Sequence, residues 1–578
     1  MNRAHLLQHF DTLAETPDAV AKLRGFVRDL AVRGCLVPQS NKDESAKDLL
    51  KRIVDEKRSL AREGIGNDAP VLDPITSDDY PFVIPKNWAW VRTRDVTTYV
   101  QRGKSPKYSL EKKMPVIAQK CIQWHGFELH KAQFIEPDSV ESYSQDRFVK
   151  NGDLLWNSTG LGTLGRIIVF KERYKEAYPQ IVADSHVTVI RPSKFVDSDY
   201  LFSWFAGPKV QNEINAKASG STKQTELATS TVLSYAIPLP PLAEQRRIVE
   251  KVEELLALCD ELEAAQTAAR ERRTNLVRSA LDHLTTAQTE PEFRQHAAFV
   301  LQHSDLVLDS VFTLRQAINS LAVEGRLLPQ SAADEPAETL LARIRSTKRR
   351  LAETAGAKPP KDWPDIEVDE LAFPLPKNWT ATYLGDLAIN IEAGFSPQCE
   401  GRPRTKDEWG VLKISAVSWD KFDPDENKAL PANVEPRPEY EVLHGDFIMS
   451  RANTAELVAK SIVTNKPPPR LLLNDKTLRV HFTEHTDKRF LNMVNNSSVS
   501  RAYYAKAASG TSSSMKNITR EGISMLPIAL PPLAEQQRIV AKVDELLRWC
   551  DALEARLTAA QTTAEHLLDA TLHQILTA

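Results

Sequence analysis

The sequence predicts an α+β protein in which two mixed α/β, strand-rich domains are separated by long coiled-coil-like helices, as a pseudo-two-fold tandem repeat. Three observations predict this. The chain repeats itself at an offset of 291 residues, each copy ends in a long heptad pattern without Pro or Gly, and each copy carries an insert of short β-rich runs. At about 150 residues per domain, the 578 residues predict roughly four domains.

The internal repeat fixes the organisation of the chain. Residues 237–269 read IPLPPLAEQRRIVEKVEELLALCDELEAAQTAA, and residues 528–560 read IALPPLAEQQRIVAKVDELLRWCDALEARLTAA. Between such segments the copies diverge, and only islands such as GD at 152–153 and 445–446 remain. The two halves therefore share a scaffold and differ in their inserts. Two further pairs follow the same offset: LAVRGCLVPQS (30–40) with LAVEGRLLPQS (321–331), and PKNW (85–88) with PKNW (376–379).

The segments after PLPPL and ALPPL predict two long helices. Pro241 and Pro532 suit the start of a helix and not its interior. From Leu242 to about Leu284 no Pro or Gly interrupts, so one rod could reach roughly 65 Å; the second runs from Leu533 nearly to the C-terminus. Cysteines in such an apolar stripe are expected to pack. The heptad seams are Ile248, Val252, Leu255, Cys259 and Leu262, then Ile539, Val543, Leu546, Cys550, Leu553, Leu557 and Ala560.

The rest of each copy divides into helices, a linker and strands. Residues 1–62 and 292–353 predict helices interrupted at LVPQS or LLPQS, and the Gly-, Pro- and Asp-rich segments 64–79 and 355–370 predict linkers. Short β-rich runs between turn signals predict strand-dominated inserts. The predicted strands are 115–118, 153–156, 166–170 and 186–190 in the first insert, and 410–416 and 446–449 in the second.

Composition excludes several classes of protein. An apolar content of 42% and a charged content of 26% are globular values, and a net charge of −3 neither demands nor excludes a polyanionic partner. Five cysteines without a CxxC pair predict neither a disulfide framework nor a zinc ribbon, and fit a reducing cytoplasm. The N-terminal residues lack a signal peptide's apolar stretch, and no run approaches the roughly 18 apolar residues of a membrane span. We therefore expect neither secretion nor membrane insertion.

The motifs present predict a binding protein without catalytic residues. A GxGxxG at Gly160, Gly162 and Gly165 runs straight into RIIVF, which is strand-like, whereas a dinucleotide site needs a helix there; a β-turn is predicted. The sequence contains no GxxxxGK[ST], no HExxH, no paired His/Cys ligands at metal spacing, and no tetrapeptide like the [DNS]PP[YF] of amino-methyltransferases. We therefore expect no cofactor and no metal in this chain.

Loops in both inserts carry residue types that suit DNA. Lys and Arg contact phosphates and guanine, and Asn and Gln pair with adenine. Each run alone fits a solvated loop, but both copies place a loop of small, hydroxyl and Lys residues shortly before the proline-led helix. The first insert offers Arg102, Lys104, Ser105, Lys107, Tyr108, Asn157, Ser158, Thr159, Lys217, Ser219, Gly220, Ser221, Thr222, Lys223 and Gln224. The second offers Arg402, Arg404, Lys406, Ser450, Arg451, Asn453, Thr454, Lys506, Ser509, Gly510, Thr511, Ser512, Lys516 and Asn517.

With LPPLAEQ at the start of a long helix twice, the chain resembles the specificity subunit of bacterial type I restriction-modification systems over essentially its full length. The SGST-type loop and the GD-plus-strand islands support the resemblance more weakly. It implies two target-recognition domains that each read one half of a split, asymmetric site in double-stranded DNA. It also implies paired antiparallel helices that act as a ruler and dock two methylation subunits. Those partners would carry S-adenosylmethionine and methylate adenine, and restriction (translocase/nuclease) subunits would cleave.

The resemblance and the repeat together predict five regions and one departure. Family members that begin at a PKNW-like segment lack a stretch like residues 1–75. Its match to 292–365 predicts that it supplies, at the end of the chain, the helices that the central region supplies in the middle. The regions are an N-terminal helical region (1–75), target-recognition domain 1 (80–240), a central helical region (241–370), target-recognition domain 2 (371–530) and a C-terminal helix (531–578).

Two other classes of function are considered. A fused methylase or nuclease would require a catalytic signature in at least one copy, and none is found. A coiled-coil scaffold protein without DNA specificity would explain the helices, but it gives no reason for two divergent inserts with Arg, Lys, Asn and Gln on loops.

Overall fold

The structure is a computed structural model that divides into two compact units. Unit 1 comprises Met1–Ala269 with Gln561–Ala578, and unit 2 comprises Arg270–Ala560. The division falls inside both long helices, so each of them contributes residues to both units. The structure describes residues 16, 18–63, 75–76, 80–160, 162–176, 178–221, 224–286, 295–296, 299, 309–366, 370–371, 373–417, 421–512 and 515–577.

Unit 1 combines helices with two four-stranded sheets and three two-stranded ribbons. The sheets have strand orders β2-β11-β8-β9, which is antiparallel, and β10-β4-β7-β3, in which β10 and β4 are parallel. Its helices are α1 (Ala19–Val32), α2 (Ala46–Arg62), α3 (Thr93–Val96), α4 (Ser198–Phe205), α5 (Pro208–Lys217), α6 (Thr229–Ser234) and α7 (Leu242–Thr286). Its strands are β1 (Ala89–Arg92), β2 (Thr97–Arg102), β3 (Tyr108–Ser109), β4 (Pro115–Ile117), β5 (Ile122–Gln123), β6 (Gly126–Phe127), β7 (Gln133–Ile135), β8 (Leu154–Asn157), β9 (Ile167–Val169), β10 (Val182–Ala183), β11 (Val187–Pro192), β12 (Ser219–Ser221), β13 (Gln224–Glu226) and β14 (Ala236–Leu239).

Unit 2 repeats this plan with changes in the insert. Its sheets are β16-β23-β19-β21, β18-β17-β22 and β20-β25-β24, with a ribbon of β15 and β26. Its helices are α8 (Asp309–Val323), α9 (Ala337–Thr354), α10 (Leu384–Leu387), α11 (Lys488–Asn496), α12 (Ser498–Ala507), α13 (Arg520–Ser524) and α14 (Leu533–Thr577). Its strands are β15 (Thr380–Tyr383), β16 (Ala388–Ala393), β17 (Gly410–Leu412), β18 (Asn427–Ala429), β19 (Phe447–Ser450), β20 (Ala452–Asn453), β21 (Ser461–Val463), β22 (Leu471–Leu472), β23 (Thr477–Phe482), β24 (Ser509–Ser512), β25 (Met515–Asn517) and β26 (Pro527–Leu530).

The central sheet of unit 1 is buried on both faces, which explains its continuous apolar runs. Leu154 and Trp156 of β8 join one core cluster, while Leu155 between them joins another. Neighbouring side chains of a strand point to opposite faces, so both faces need apolar residues. β19 repeats the pattern, with Phe447 and Met449 in one cluster and Ile448 in another.

Most of the predicted elements are confirmed. The long helices begin at Leu242 and Leu533, directly after the prolines. Five of the six predicted strands overlap observed ones closely, but the strand predicted at 410–416 ends at Leu412 and is followed by a 3₁₀ turn, Ile414–Val417. Residues 355–366 form no helix or strand, as predicted for a linker. The predictions for residues 1–15, and for most of 64–79 and 292–308, lie outside the described residues.

In unit 1 the LPPLAEQ motif forms a hydrogen-bonded joint at the start of α7. Gln245 Oε1 accepts from the backbone N–H of Asp197 at 2.8 Å, and its Nε2 donates to the carbonyl of Pro240 at 2.9 Å. Gln39 donates to Glu244 at 2.5 Å. The start of α7 is thereby fixed to the insert and to the LVPQS turn.

The same joint recurs in unit 2. Gln536 accepts from the N–H of Asp487 at 3.0 Å, and Gln330 donates to Glu535 at 2.7 Å. Trp379 of PKNW also donates to Glu535, at 3.1 Å. The LPPLAEQ motif therefore fixes the start of each long helix to its insert.

The heptad seam is confirmed in its central part. Ile248, Val252 and Cys259 are buried, as are their counterparts on α14, whereas Ala560 at the end of the second seam is exposed. Burial raises the pKa of the Cys259 thiol, which fits a packing role.

The N-terminal helix packs where the repeat predicted. Within unit 1, Ala19 of α1 shares an apolar cluster with Leu568 and Leu572 of α14, and Lys22 forms an ion pair with Asp569 at 2.7 Å. In unit 2, residues of α8 join one cluster with Val277, Ala280 and Leu281 of α7. In each unit, the end of the long helix of one copy therefore packs against a short helix of the other copy: α14 against α1 in unit 1, and α7 against α8 in unit 2.

Two further findings concern absences. In the described part of the chain, no helix combines the length and the apolar character needed to cross a membrane. Over the same described residues, His, Cys, Asp and Glu nowhere gather in a group of three that could hold a metal ion.

Candidate nucleic-acid interface

In unit 1 the structure brings residues of all three predicted loop segments together. The hairpin of β12 and β13 lies beside the segment after β8: Leu227 N–H donates to the Ser158 carbonyl at 2.8 Å, and Gly160 N–H donates to the Thr225 carbonyl at 3.3 Å. Thr159 also forms a β-bridge with Glu226. We call residues 219–226 the first hairpin. Its backbone includes Ser219, Gly220, Ser221 and Gln224, and Thr222 and Lys223 at its tip lie outside the described residues.

The guanidinium of Arg102 is committed to the base of the first hairpin. It donates to the Leu227 carbonyl at 2.9 Å and pairs with Glu226 at 2.6 Å. Only 23% of its side chain is exposed. Arg102 therefore orients the hairpin, and a direct phosphate contact would require it to leave two partners.

The expectation that Asn157, Ser158 and Thr159 are presented on a loop is wrong. All three are buried. The Asn157 amide donates to the Gln119 carbonyl at 3.1 Å, and Thr159 Oγ1 hydrogen-bonds His186 Nδ1 at 2.7 Å. Asn157 is the last residue of β8 and lies inside the sheet. Its polar side chain gives no sign in the sequence that the buried strand extends to this position.

The glycines that follow form a turn, as predicted. Gly160, Gly162 and Gly165 have φ values of +101°, +76° and +88°, and β9 begins at Ile167. Such φ values suit glycine, and no helix follows that could bind a dinucleotide phosphate.

The loop after β2 is exposed at its four remaining candidates. Gly103 brings this loop so close to Ala183 and Asp184 that a Cβ would collide with their carbonyl oxygens. Beyond it, Lys104 Nζ donates to Ser142 at 3.1 Å and lies over the ring of Tyr143. The exposed side chains of this loop are Lys104, Ser105, Lys107 and Tyr108.

Lys217 precedes the first hairpin and is held on two sides. It pairs with Glu213 at 2.9 Å, and its ammonium lies 4.2 Å from the centroid of the Tyr235 ring. Although burial opposes ionisation of Glu213, hydrogen bonds from Lys209 and Lys217 lower its pKa. Lys217 stays accessible, with 42% of its side chain exposed.

In unit 2 a three-stranded sheet unites two of the predicted segments. β25 pairs with β20 through Asn453 and Lys516, and with β24 through Ser509 and Asn517. We call residues 509–517 the second hairpin. Gly510 has a φ of +140°, and its carbonyl accepts from Lys516 Nζ at 2.6 Å. The backbone of Thr511 and Ser512 belongs to β24.

The residues around the second hairpin differ in exposure. Arg451, whose carbonyl accepts from Ile518 N–H at 3.0 Å, is exposed, and so is Lys506 at the end of α12. Thr454 is half-buried. Ser450 is fully buried and donates to the Leu457 carbonyl at 2.8 Å, so its predicted display on a loop is wrong.

The arginines at 402 and 404 hold their own loop together. Arg402 donates through both Nη atoms to the Glu408 carboxylate at 2.7 Å, which lowers the pKa of Glu408 to about 2. Arg404 donates to the Glu408 carbonyl at 2.9 Å. Of the three cations proposed here, Lys406 is exposed, and Arg402 is exposed but already paired.

The GD islands are structural rather than part of the interface. Buried Asp153 pairs with Arg191 of β11 at 2.7 Å, and Asp446 pairs with Arg479 of β23 at 3.1 Å. Burial raises the pKa of Asp153 despite this pairing. Both islands therefore fasten a turn to the central sheet.

Sequence reasoning missed the hairpin of β5 and β6. Trp124 stands at its turn with 56% of its surface exposed. A repeated W-x-x-F, at 124–127 and 419–422, was the signal that could have found it.

Comparisons with known proteins place the chain in a family. The family model of the type I restriction modification DNA specificity domain matches residues 85–270 and 490–560. The EcoEI type I restriction enzyme specificity subunit of Escherichia coli is 32% identical over 561 residues, covering 95% of this chain and 93% of that protein. The EcoAI specificity subunit of Escherichia coli is 29% identical over 580 residues, with the same two coverages.

Solved structures from this class also align. A chain from a type I R-M system studied for its assembly and conformational transition covers 86% of this chain and 99% of its own, with a TM-score of 0.45 and 18% identity. The crystal structure of the HsdS subunit from Thermoanaerobacter tengcongensis covers 85% and 97%, with a TM-score of 0.40 and 17% identity. From the family model and the full-length relatives, this chain belongs to the family of type I restriction enzyme specificity subunits.

Proposed function

We propose that this chain is the sequence-specific DNA-binding subunit of a type I restriction-modification complex, and that it is itself not catalytic. Each insert reads one half of a bipartite, asymmetric target in double-stranded DNA. Partner subunits, two for methylation and others for translocation and cleavage, carry out adenine methylation and cutting. Because that target is chromosomal or invading DNA, the complex acts in the cytoplasm.

One observation carries the proposal: the same joint at Gln245 and Gln536 holds two inserts whose hairpins differ in sequence. A repeated scaffold with divergent readers suits a target with two different halves. The first hairpin reads SGSTKQTE and the second SGTSSSMKN. Lys, Gln, Ser and Asn at such positions supply both phosphate contacts and hydrogen bonds to base edges.

The proposed contacts are the candidates that the structure leaves accessible. We assign phosphate contacts to exposed cations and base contacts to the hairpin tips, because phosphate binding needs charge and base reading needs close approach. Arg102, Arg402 and Arg404 act instead by orienting their loops. Within the described residues the proposed contacts are Lys104, Ser105, Lys107, Tyr108, Lys217 and Ser219 in unit 1, and Lys406, Arg451, Asn453, Thr454, Lys506, Ser509, Gly510, Lys516 and Asn517 in unit 2. Gly220, Ser221, Thr222, Lys223, Gln224, Thr511 and Ser512 are proposed as contacts from the sequence alone.

A hairpin exchange tests the proposal. The chain is assembled with methylation subunits, and the preferred sites of wild type and variants are selected from a randomised duplex library. Replacing residues 219–226 by the sequence of a different specificity subunit should change one half-site and leave the other intact. A matched exchange of residues 509–517 should change only the second half. If either exchange altered both halves, or if the wild-type complex selected no sequence, the proposal would be wrong.

Helix α7 is expected to set the spacing between the half-sites. Four added residues rotate a helix by a net of about 40° and advance it by about 6 Å, which nearly matches the rotation of roughly 35° for one base pair. A four-residue duplication between Glu261 and Arg273 should therefore lengthen the spacer by about one base pair. Seven residues advance the helix by about 10 Å but rotate it by about −20°, so specific binding should be lost.

A further inference from the structure

The turn of the β5–β6 hairpin carries a side chain that the fold does not use. We propose that Trp124 makes a sequence-independent contact with DNA beside the first hairpin. This inference rests on the proposed function and deepens it, because it separates a residue that holds DNA from residues that read bases.

The base of the β5–β6 hairpin is firmly anchored. Ile122 pairs with Phe127, and Cys121 and Ile122 are completely buried. The Phe127 ring lies 5.6 Å from that of Phe170, centroid to centroid. The two-residue turn is therefore rigidly placed, while its indole remains 56% exposed. An aromatic ring of this size stabilises a fold mainly by burying its surface. Because Trp124 is largely exposed, its ring contributes little to the stability of the fold.

The β5–β6 hairpin belongs to the same hydrogen-bonded network as the first hairpin. Gln119, just before it, donates to the Thr159 carbonyl at 2.8 Å, and Thr159 bridges to Glu226 of the first hairpin. Gln123 accepts a hydrogen bond from Arg166, whose other Nη donates to the Gly162 carbonyl at 2.8 Å. The β5–β6 hairpin is thus linked to the first hairpin through Gln119 and Thr159, and to the glycine turn after β8 through Gln123 and Arg166.

The charges around Trp124 favour a polyanion. Residues 119–126 include the exposed cation Lys120 and no carboxylate, and the exposed His125 ring lies 3.3 Å from Glu128. The nearby carboxylate, Glu128, is neutralised by Lys131, whose hydrogen bond lowers the pKa of Glu128. An indole beside lysine and amide groups suits a sugar–phosphate surface, where the ring packs on deoxyribose and nearby cations meet phosphates.

Internal comparison shows why the contact is independent of sequence. Two backbone hydrogen bonds that flank this segment recur in unit 2: Cys121 N–H donates to Ala118 and Glu128 N–H to Cys121 in unit 1, as Ala416 N–H does to Lys413 and Asp423 N–H to Ala416. The sequence keeps W-x-x-F there, although Trp419 lies outside the described residues. Residues that read different bases must differ between the inserts, so a shared Trp suits what both half-sites have in common, the DNA backbone and stack.

The experiment uses the full chain with its methylation subunits, and a duplex that the wild-type complex selects from a randomised library. Trp124→Ala should weaken binding by about 10-fold to about 100-fold, the range that corresponds to burying a large apolar side chain. Every single-base variant of the duplex should be weakened by the same factor, so the selected sequence stays the same. Trp124→Phe should retain part of the affinity. Val83→Ala, which shortens a side chain that is 92% exposed in the same unit, is the matched control and should change nothing.

A photo-crosslinking residue at position 124 supplies a readout that does not depend on affinity. It should crosslink to a DNA strand. Crosslinks to a methylation subunit only, unchanged affinity of Trp124→Ala, or a loss confined to one base pair would each overturn the inference. A wild-type complex that selects no sequence would instead overturn the proposed function, so the two failures are distinguishable.

Discussion

The two units differ in side-chain packing at one corresponding place. In unit 1, Phe82, Trp90 and Trp204 form an aromatic cluster, with the Trp90 and Trp204 rings 6.0 Å apart. In unit 2 the corresponding positions of the two tryptophans are Ala381 and Val494. A cavity of about 250 Å³ lies there, lined by residues that include Val494, Phe373, Leu526 and Ala529.

This difference contrasts with the joint at the start of the long helices, which is the same in both units. Gln245 and Gln536 make matching bonds to an insert N–H and a proline carbonyl. Apolar core residues can differ between the copies, because neighbouring side chains relax around a change in volume. The residues of a buried hydrogen-bonded joint cannot differ in this way, because a substitution would leave a partner unpaired at the full cost of its desolvation.

The largest expected effect lies in the aromatic cluster. Trp204→Ala should destabilise unit 1 by about 3–5 kcal/mol, because it removes a buried indole and leaves a cavity. Val494→Ala should cost unit 2 less, since it removes only two methyl groups from a site that already borders a cavity. Denaturant unfolding followed by circular dichroism measures both. Equal losses in the two variants would show that the cavity has no energetic meaning.

A pH-dependent effect of about 3 kcal/mol is expected at Lys348. Its ammonium is buried and donates to the carbonyls of Gly385 and Asp386, and burial lowers its pKa to about 8. The unfolded chain, with the ordinary pKa of 10.5, binds more protons between these values, so this contribution raises stability from pH 8 to about pH 10.5. The rise should be absent in Lys348→Met. Parallel stability curves for the two proteins across that range would contradict the prediction.

The joint tests whether the two copies are equivalent. Gln245→Leu and Gln536→Leu should each cost about 2–3 kcal/mol, because a buried N–H and a buried carbonyl lose their partners. Thermal unfolding of the two variants measures the loss in each unit. A clear difference between the two losses of stability would show that the joint stabilises the two units unequally.

The smallest effect concerns two lysines at corresponding helix ends. Lys217 pairs with Glu213, four residues before it, whereas the residue four positions before Lys506 is Ala502. Lys506→Gln should reduce the slope of log affinity against log salt by about 1, and Lys217→Gln by less, because Glu213 already compensates its charge. Salt titrations of DNA binding measure both slopes. A larger change at Lys217 would contradict this assignment.

The scaffold could be predicted from the sequence. Two copies, two long helices that begin after Pro241 and Pro532, and most strands of the inserts follow from periodicity and from turn residues, which act locally. Packing of the N-terminal helix against the end of α14 was also predictable, because repetition carries a contact from one copy to the other.

Only the tertiary structure decided which polar residues are available to DNA. Asn157, Ser158, Thr159 and Ser450 have the chemistry of a site but lie in buried strands or turns. Arg102 has a phosphate-binding side chain that the fold uses to hold the first hairpin. Burial and pairing depend on residues far along the chain, so a local run of Arg, Asn or Ser cannot reveal whether its groups face solvent or one another.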